Sequence, residues 1–171
     1  MKLIHVCPSY KPAYTYGGPT VSISMLCEQL QAANMQPFVL TTTGNGIHEL
    51  KVETNSISIV DGVSVRYCAR LTKDHSHFSP ALCLQLFQYI RKAKRSGQKL
   101  ILHIHSWWNL VAILGCLIAR LHNITTVISP RGMLTDYSFR HNKGFTKRCI
   151  HVLLGMWLLN GCVVHATSEK E

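Results

Sequence analysis

The sequence predicts an α/β fold, with a mostly parallel sheet covered by helices on both faces. Apolar runs of strand length alternate with segments whose apolar residues recur at helical spacing, and short links rich in glycine, proline or asparagine separate them. Such alternation requires crossover connections, and these are right-handed in parallel sheets. The 171 residues suffice for one domain with a full core and fall short of two ordinary ones.

"LIHVC" (3–7) reads as the first buried strand. A loop containing Gly17 and Gly18 follows, and then Ile23, Leu26, Cys27, Leu30 and Ala33 mark one face of a helix. "PFVLTT" (37–42) is the second strand, broken by Gly44-Asn45-Gly46. "ISIVDGVSVRYC" (57–68) has the form of a hairpin turning at Asp61-Gly62. Ser79-Pro80 supplies an N-cap and a first-turn proline for a helix whose buried face is Leu82, Leu86, Tyr89, Ile90 and Ala93. "LILHIH" (100–105) is a strand, 107–121 an apolar helix and "ITTVIS" (124–129) another strand. A polar loop from Pro130 to about Gly144, a helix near 145–159 ended by Asn160-Gly161, and a last strand, "CVVHAT" (162–167), complete the chain.

The composition is globular: 47% of residues are apolar and only 15% charged. Seven cysteines at wide spacing, with no CxxC, argue against a disulfide framework or a structural zinc site and for a reducing compartment. The start of the chain lacks the apolar run of a signal peptide, and the runs 110–119 and 152–159 are too short to span a bilayer. The expected location is therefore the cytoplasm, with peripheral contact at the inner face of the membrane as an extension of that reading.

The net charge of +10 favours an anionic partner, and lysine and arginine concentrate in 91–99 and 140–148. Basic residues at a helix C-terminus give the first run an ordinary structural explanation, since Gly97 follows it as a stop. Nucleic acid is an unsupported partner, because the aromatics do not interleave with the basic runs.

Ligands of parallel α/β sheets sit beyond the carboxyl ends of the strands, and three candidate groups fall there. Gly17 and Gly18 allow close backbone approach where a helix begins, a cradle suited to phosphate or a plain strand-to-helix turn. Neither a GxGxxG nor a GxxxxGK[ST] pattern is present. His103 and His105 lie on one side of a strand, with His105 at its end. His105 is the candidate to orient a substrate hydroxyl or share its proton, while His103 reads as a core histidine. No third ligand lies near them in sequence, so no metal is expected. Trp107 and Trp108 wall a sugar-sized pocket or cap the core. Arg131, just past a strand end, suits a phosphate or carboxylate, and Gly132 opens space beside it; a surface turn explains the pair equally well.

Four segments in this order, "GGPTVSISMLCEQL", "ILHIHSWWN", "ISPRGML" and "VVHATSEKE", resemble the N-terminal domain of a family 4 glycosyltransferase of the GT-B fold. The resemblance runs along nearly the whole chain, and "SPRGML" is its sharpest element. It implies that residues 1–171 form a single Rossmann-like, acceptor-side domain. Gly17 and Gly18 would then approach the diphosphate of a nucleotide-sugar donor, His105 would sit near the transferred sugar and the acceptor hydroxyl, and Trp107, Arg131 and Gly132 would contact substrate. Retention of anomeric configuration, independence from divalent metal and a lipid-linked or polysaccharide acceptor are implied as well. In that family a second Rossmann-like domain binds most of the donor and carries a basic pair and paired glutamates. The sequence stops at Glu171, where the crossing to such a domain would begin, so the chain alone is expected to be inactive. The alternative is a non-catalytic Rossmann-like binding module, or a truncated remnant, associating with an anionic surface or partner.

Overall fold

A computed structural model describes residues 1–54, 56–134 and 151–166. They form β1 (Lys2–Val6), α1 (Gly18–Ala32), β2 (Phe38–Thr42), β3 (Gly44–Asn45), β4 (His48–Glu49), β5 (Ser58–Val60) and β6 (Val63–Cys68). Then come α2 (Pro80–Arg95), β7 (Leu100–His105), α3 (Leu110–Leu121), β8 (Thr125–Ser129), a π-helical turn (His151–Gly155), α4 (Met156–Leu159) and β9 (Val163–Val164). Seven strands make one sheet in the order β5-β6-β2-β1-β7-β8-β9, parallel except for the antiparallel edge strand β5. The fold is α/β with a mostly parallel sheet, as the alternation of runs requires.

Local chemistry explains the elements. Asp61 (φ 48°) and Gly62 (φ 80°) both turn in the left-handed region, the geometry of a two-residue turn whose twist matches the β5–β6 hairpin. Ser79 Oγ accepts from the Leu82 amide at 3.1 Å and caps α2. The basic residues Lys92, Lys94 and Arg95 occupy the last turn of α2, beside its negative dipole end. Asn109 Oδ1 caps α3 by accepting from Ala112 at 2.9 Å, so the helix begins at Leu110 rather than at 107. Gly44-Asn45-Gly46 does more than break β2: it enters a short second hairpin, β3–β4. The second basic run, 140–148, and most of the loop expected from Pro130 to about Gly144 lie outside the described residues. The last strand is two residues long rather than six.

Two cores follow from the period-two alternation of the strands. One packs Ile4, Val6, Leu40, Leu102, Ile104 and Ile128 of the sheet against α2 and α3. The other packs Val39, Val65 and Tyr67 against Ile23 and Cys27 of α1. The helices thus cover both faces. No helix among the described residues is long and apolar enough to cross a membrane.

From β1 the chain first builds outward through β2 to β6, then crosses to the other side of β1 with β7, β8 and β9. The switch point of the sheet is therefore the β1–β7 seam, and ligands of parallel α/β sheets bind beyond the carboxyl end of such a seam.

Candidate functional site

At the β1–β7 seam the register pairs His5 with His103, and period two sets His105 on the same side as His103. Both histidines of β7 thereby meet a third from β1, on the sheet face opposite Ile4, Val6, Leu102 and Ile104. His5 Nδ1 and His105 Nε2 are 3.0 Å apart, and the two rings stack at 5.3 Å between centroids with 8° between planes. The His103 ring lies 4.1 Å from that of His105. A second hydrogen-bonded run leads outward: His103 Nε2 to Ser129 Oγ at 2.8 Å, and Ser129 Oγ to His165 Nδ1 at 2.8 Å. His5 was not singled out in the sequence, and Ser129 and His165 entered only as members of the segments ISPRGML and VVHATSEKE. The signal that finds them is strand register, because they are distant in sequence and adjacent only through pairing.

The electrostatics follow from burial. His5 and His105 have no exposed surface. Burial, followed by the neighbouring His103 and Arg131, pushes the His5 imidazole down to about 3. Burial, with His165 and Arg131, brings His103 down to about 4. His105 lies well below its ordinary value through burial and then through His103, His5, Arg131 and His165. All three are neutral near pH 7. As a set they are the right kind of donor for a metal, and one nitrogen from each lies within 4.8 Å of the others. Two facts argue for a hydrogen-bonded network instead. Two of the nitrogens already approach at hydrogen-bonding distance, and the Arg131 guanidinium bears on the cluster.

Arg131 joins the parts. It sits just after β8 with φ 54°, in the turn that also contains Gly132 at φ 78°. Its Nη1 donates to Ser22 Oγ of α1 at 2.6 Å, and its Nη2 donates to His105 Nδ1 at 3.4 Å. One side chain therefore spans from the first turns of α1 to the end of β7. Gly17 caps α1 at φ 62°, where a side chain would strain the backbone, and a methyl group at Gly17 or Gly18 would meet no residue beyond its chain neighbours. The space beside both glycines is open where α1 begins, although the Gly17 amide is bonded to the Tyr14 carbonyl and Pro19 has no N–H to offer.

Beside these glycines, the β3–β4 hairpin is fixed by Arg70, a buried residue after β6. Its Nε donates to Glu49 Oε1 at 2.7 Å, and its Nη2 donates to the carbonyls of Gly46 at 2.7 Å and His48 at 3.0 Å. The β3–β4 hairpin so held donates its Gly46 amide to Tyr16 Oη at 2.9 Å, immediately before Gly17.

Of the residues expected at the site, Gly17, Gly18, His105, Arg131 and Gly132 converge at the carboxyl rim. Trp107 is 1% exposed and belongs to the core with Val111, Ile104 and Ile128. Its neighbour Trp108 is half-buried and donates Nε1–H to the Met133 carbonyl at 2.6 Å. Core packing thus accounts for one tryptophan of the pair. A cavity of about 530 Å³ opens at the other end of the sheet, lined in part by Lys2, Gln36, Tyr89 and Lys92. It is remote from the histidines and carries none of this chemistry.

Residues 17–171 match the family described as glycosyl transferase 4-like domain. No curated protein matches the chain.

Proposed function

The chain belongs to the glycosyl transferase 4-like domain family, and on that premise we propose that its carboxyl rim is the acceptor-side half of a sugar-transfer site. The donor is a nucleotide sugar, the acceptor a lipid-linked or polysaccharide hydroxyl, and the anomeric configuration is retained. Transfer breaks the bond between the anomeric carbon and the diphosphate oxygen and forms one to the acceptor oxygen; negative charge grows on the departing diphosphate, which takes up the acceptor proton. The α1 N-terminus behind Gly17 and Gly18 receives that charge through backbone N–H groups. His105, neutral and weakly basic, orients a hydroxyl by hydrogen bonding rather than taking its proton outright. Arg131 and Gly132 border the acceptor side, and Trp107 supports the turn from within the core. No divalent metal is required. Turnover needs a second α/β body to close over the donor, since positioning supplies much of the catalysis. The protein works in the cytoplasm, with its basic surface toward an anionic membrane face.

The single observation that carries this reading is Arg131 reaching both Ser22 of α1 and His105 of β7, which draws the glycine cradle and the histidine into one crevice. The test is titration with a nucleoside diphosphate, comparing the wild-type chain with Gly17→Val. Millimolar binding that the variant weakens supports the cradle; equal binding by both overturns it. Sugar transfer by residues 1–171 alone would refute the requirement for a second body.

One observation favours the non-catalytic reading. His105 is fully buried and both its ring nitrogens are engaged. Salt-sensitive adsorption to acidic liposomes without affinity for nucleotides would establish a binding module instead.

A further inference from the structure

We propose that His5 is a positioning residue which, together with Arg131, holds His105 in one tautomer, with Nε2 protonated and the Nδ1 lone pair turned toward the rim. The inference deepens the transfer-site reading and rests on it for its functional meaning, though its geometry stands apart from any substrate.

The argument is one of donors and acceptors. A guanidinium has only N–H groups to offer, so the Arg131 Nη2 contact at 3.4 Å requires an acceptor at His105 Nδ1. A neutral imidazole that accepts at one nitrogen carries its proton on the other, so Nε2 of His105 is the donor. At 3.0 Å it faces His5 Nδ1, which therefore accepts, and the His5 proton must sit on Nε2. That atom is buried and has no hydrogen-bond partner among the described residues. The opposite arrangement, with His5 donating, turns an N–H of His105 against the N–H groups of Arg131.

The pairing has a consequence for chemistry at the rim. Near pH 7 burial keeps both rings neutral, so the tautomer and not the charge decides what His105 presents. Whatever displaces Arg131 meets an acceptor held in place by the stacked His5 ring, suited to receiving a hydrogen bond from a sugar hydroxyl. His5 does so from β1, through the Nε2 side of the His105 ring, leaving Nδ1 to the side that Arg131 occupies. His103 takes no part in this chain, because its Nε2 is bonded to Ser129.

The experiment is long-range proton–nitrogen correlation NMR of the full chain labelled with 15N-histidine at neutral pH. The expected spectrum shows His105 and His5 each protonated at Nε2 and bare at Nδ1. His5→Phe removes the acceptor and should give His105 averaged signals from both tautomers. His5→Asn places an amide oxygen near the position of Nδ1 and should restore the single form. Arg131→Met, at the rim, should relax the tautomer from the other side and serves if the phenylalanine variant does not fold. A wild-type His105 protonated at Nδ1, or a tautomer indifferent to both His5→Phe and Arg131→Met, overturns the proposal. So does a one-to-one Zn²⁺ complex abolished by His5→Asn, which would make the rings metal ligands. Because no substrate is used, a fixed tautomer without nucleotide binding would refute the transfer reading and leave the positioning intact.

Discussion

Lowering the pH from 7.5 to 5 should destabilise the protein by several kcal/mol, and the cause is the set of buried imidazoles. His5, His77 and His103 have folded-state values pushed down to about 3, about 4 and about 4, and His105 lies well below its ordinary value. Burial is the first cause in each. The unfolded chain binds these protons near the ordinary value of 6.5, so below that pH it holds more protons than the folded chain. Their contribution is therefore fully present above pH 6.5 and is lost as pH falls toward 4 and then 3. Each group costs about 1.4 kcal/mol per pH unit, so at pH 5 His5, His77 and His103 each remove about 2 kcal/mol and together up to about 6 kcal/mol, with His105 acting in the same direction. Relaxation of the folded state that lets water reach a charged ring reduces the total to about 3–5 kcal/mol, against a typical stability of about 5–15 kcal/mol. The assay is urea denaturation by circular dichroism at intervals from pH 7.5 to 5. The window lies above carboxylate titration, so the histidines dominate it. His77→Gln, distant from the seam, should reduce the pH slope by about one proton. A denaturation midpoint that stays constant from pH 7.5 to 5 would refute the reasoning.

Arg70→Met leaves Glu49 and two hairpin carbonyls without their donor, at a cost of about 2–4 kcal/mol and a melting temperature lower by roughly 4–12 °C, measured by calorimetry. The same variant should speed amide exchange at residues 44–49 before the rest of the sheet. Gly115→Ala should be nearly neutral, because its Cβ meets Ile104 Cδ1 at 3.3 Å while the helix gains from losing a glycine. Gly115→Val drives further methyls toward Ile104 and Val6 and should cost about 1–3 kcal/mol in the same denaturation assay.

Period and punctuation made most of the sheet legible. The Asp61-Gly62 turn and the Ser79-Pro80 cap are local signals, and both elements formed where those residues put them. The start of α3 was misplaced because Trp107 and Trp108 continue the apolar run, while the Asn109 cap decides the boundary. The π turn at His151–Gly155 has no sequence signature of its own. At the site, period two set His103 and His105 on one side of β7. Only register brings His5, nearly a hundred residues earlier, against them. The same limit hid the role of Arg131: its neighbours in sequence describe a turn, and its link to Ser22 exists only after α1 and β8 have packed.

The most direct test of the central claim is amide chemical-shift mapping of the chain with a nucleotide sugar at millimolar concentration. The account predicts shifts that cluster at Gly17, Gly18, Ser22, His105 and Arg131, around the crevice of the β1–β7 seam. Shifts confined to the opposite cavity near Lys2 and Lys92, or none at all, would contradict it.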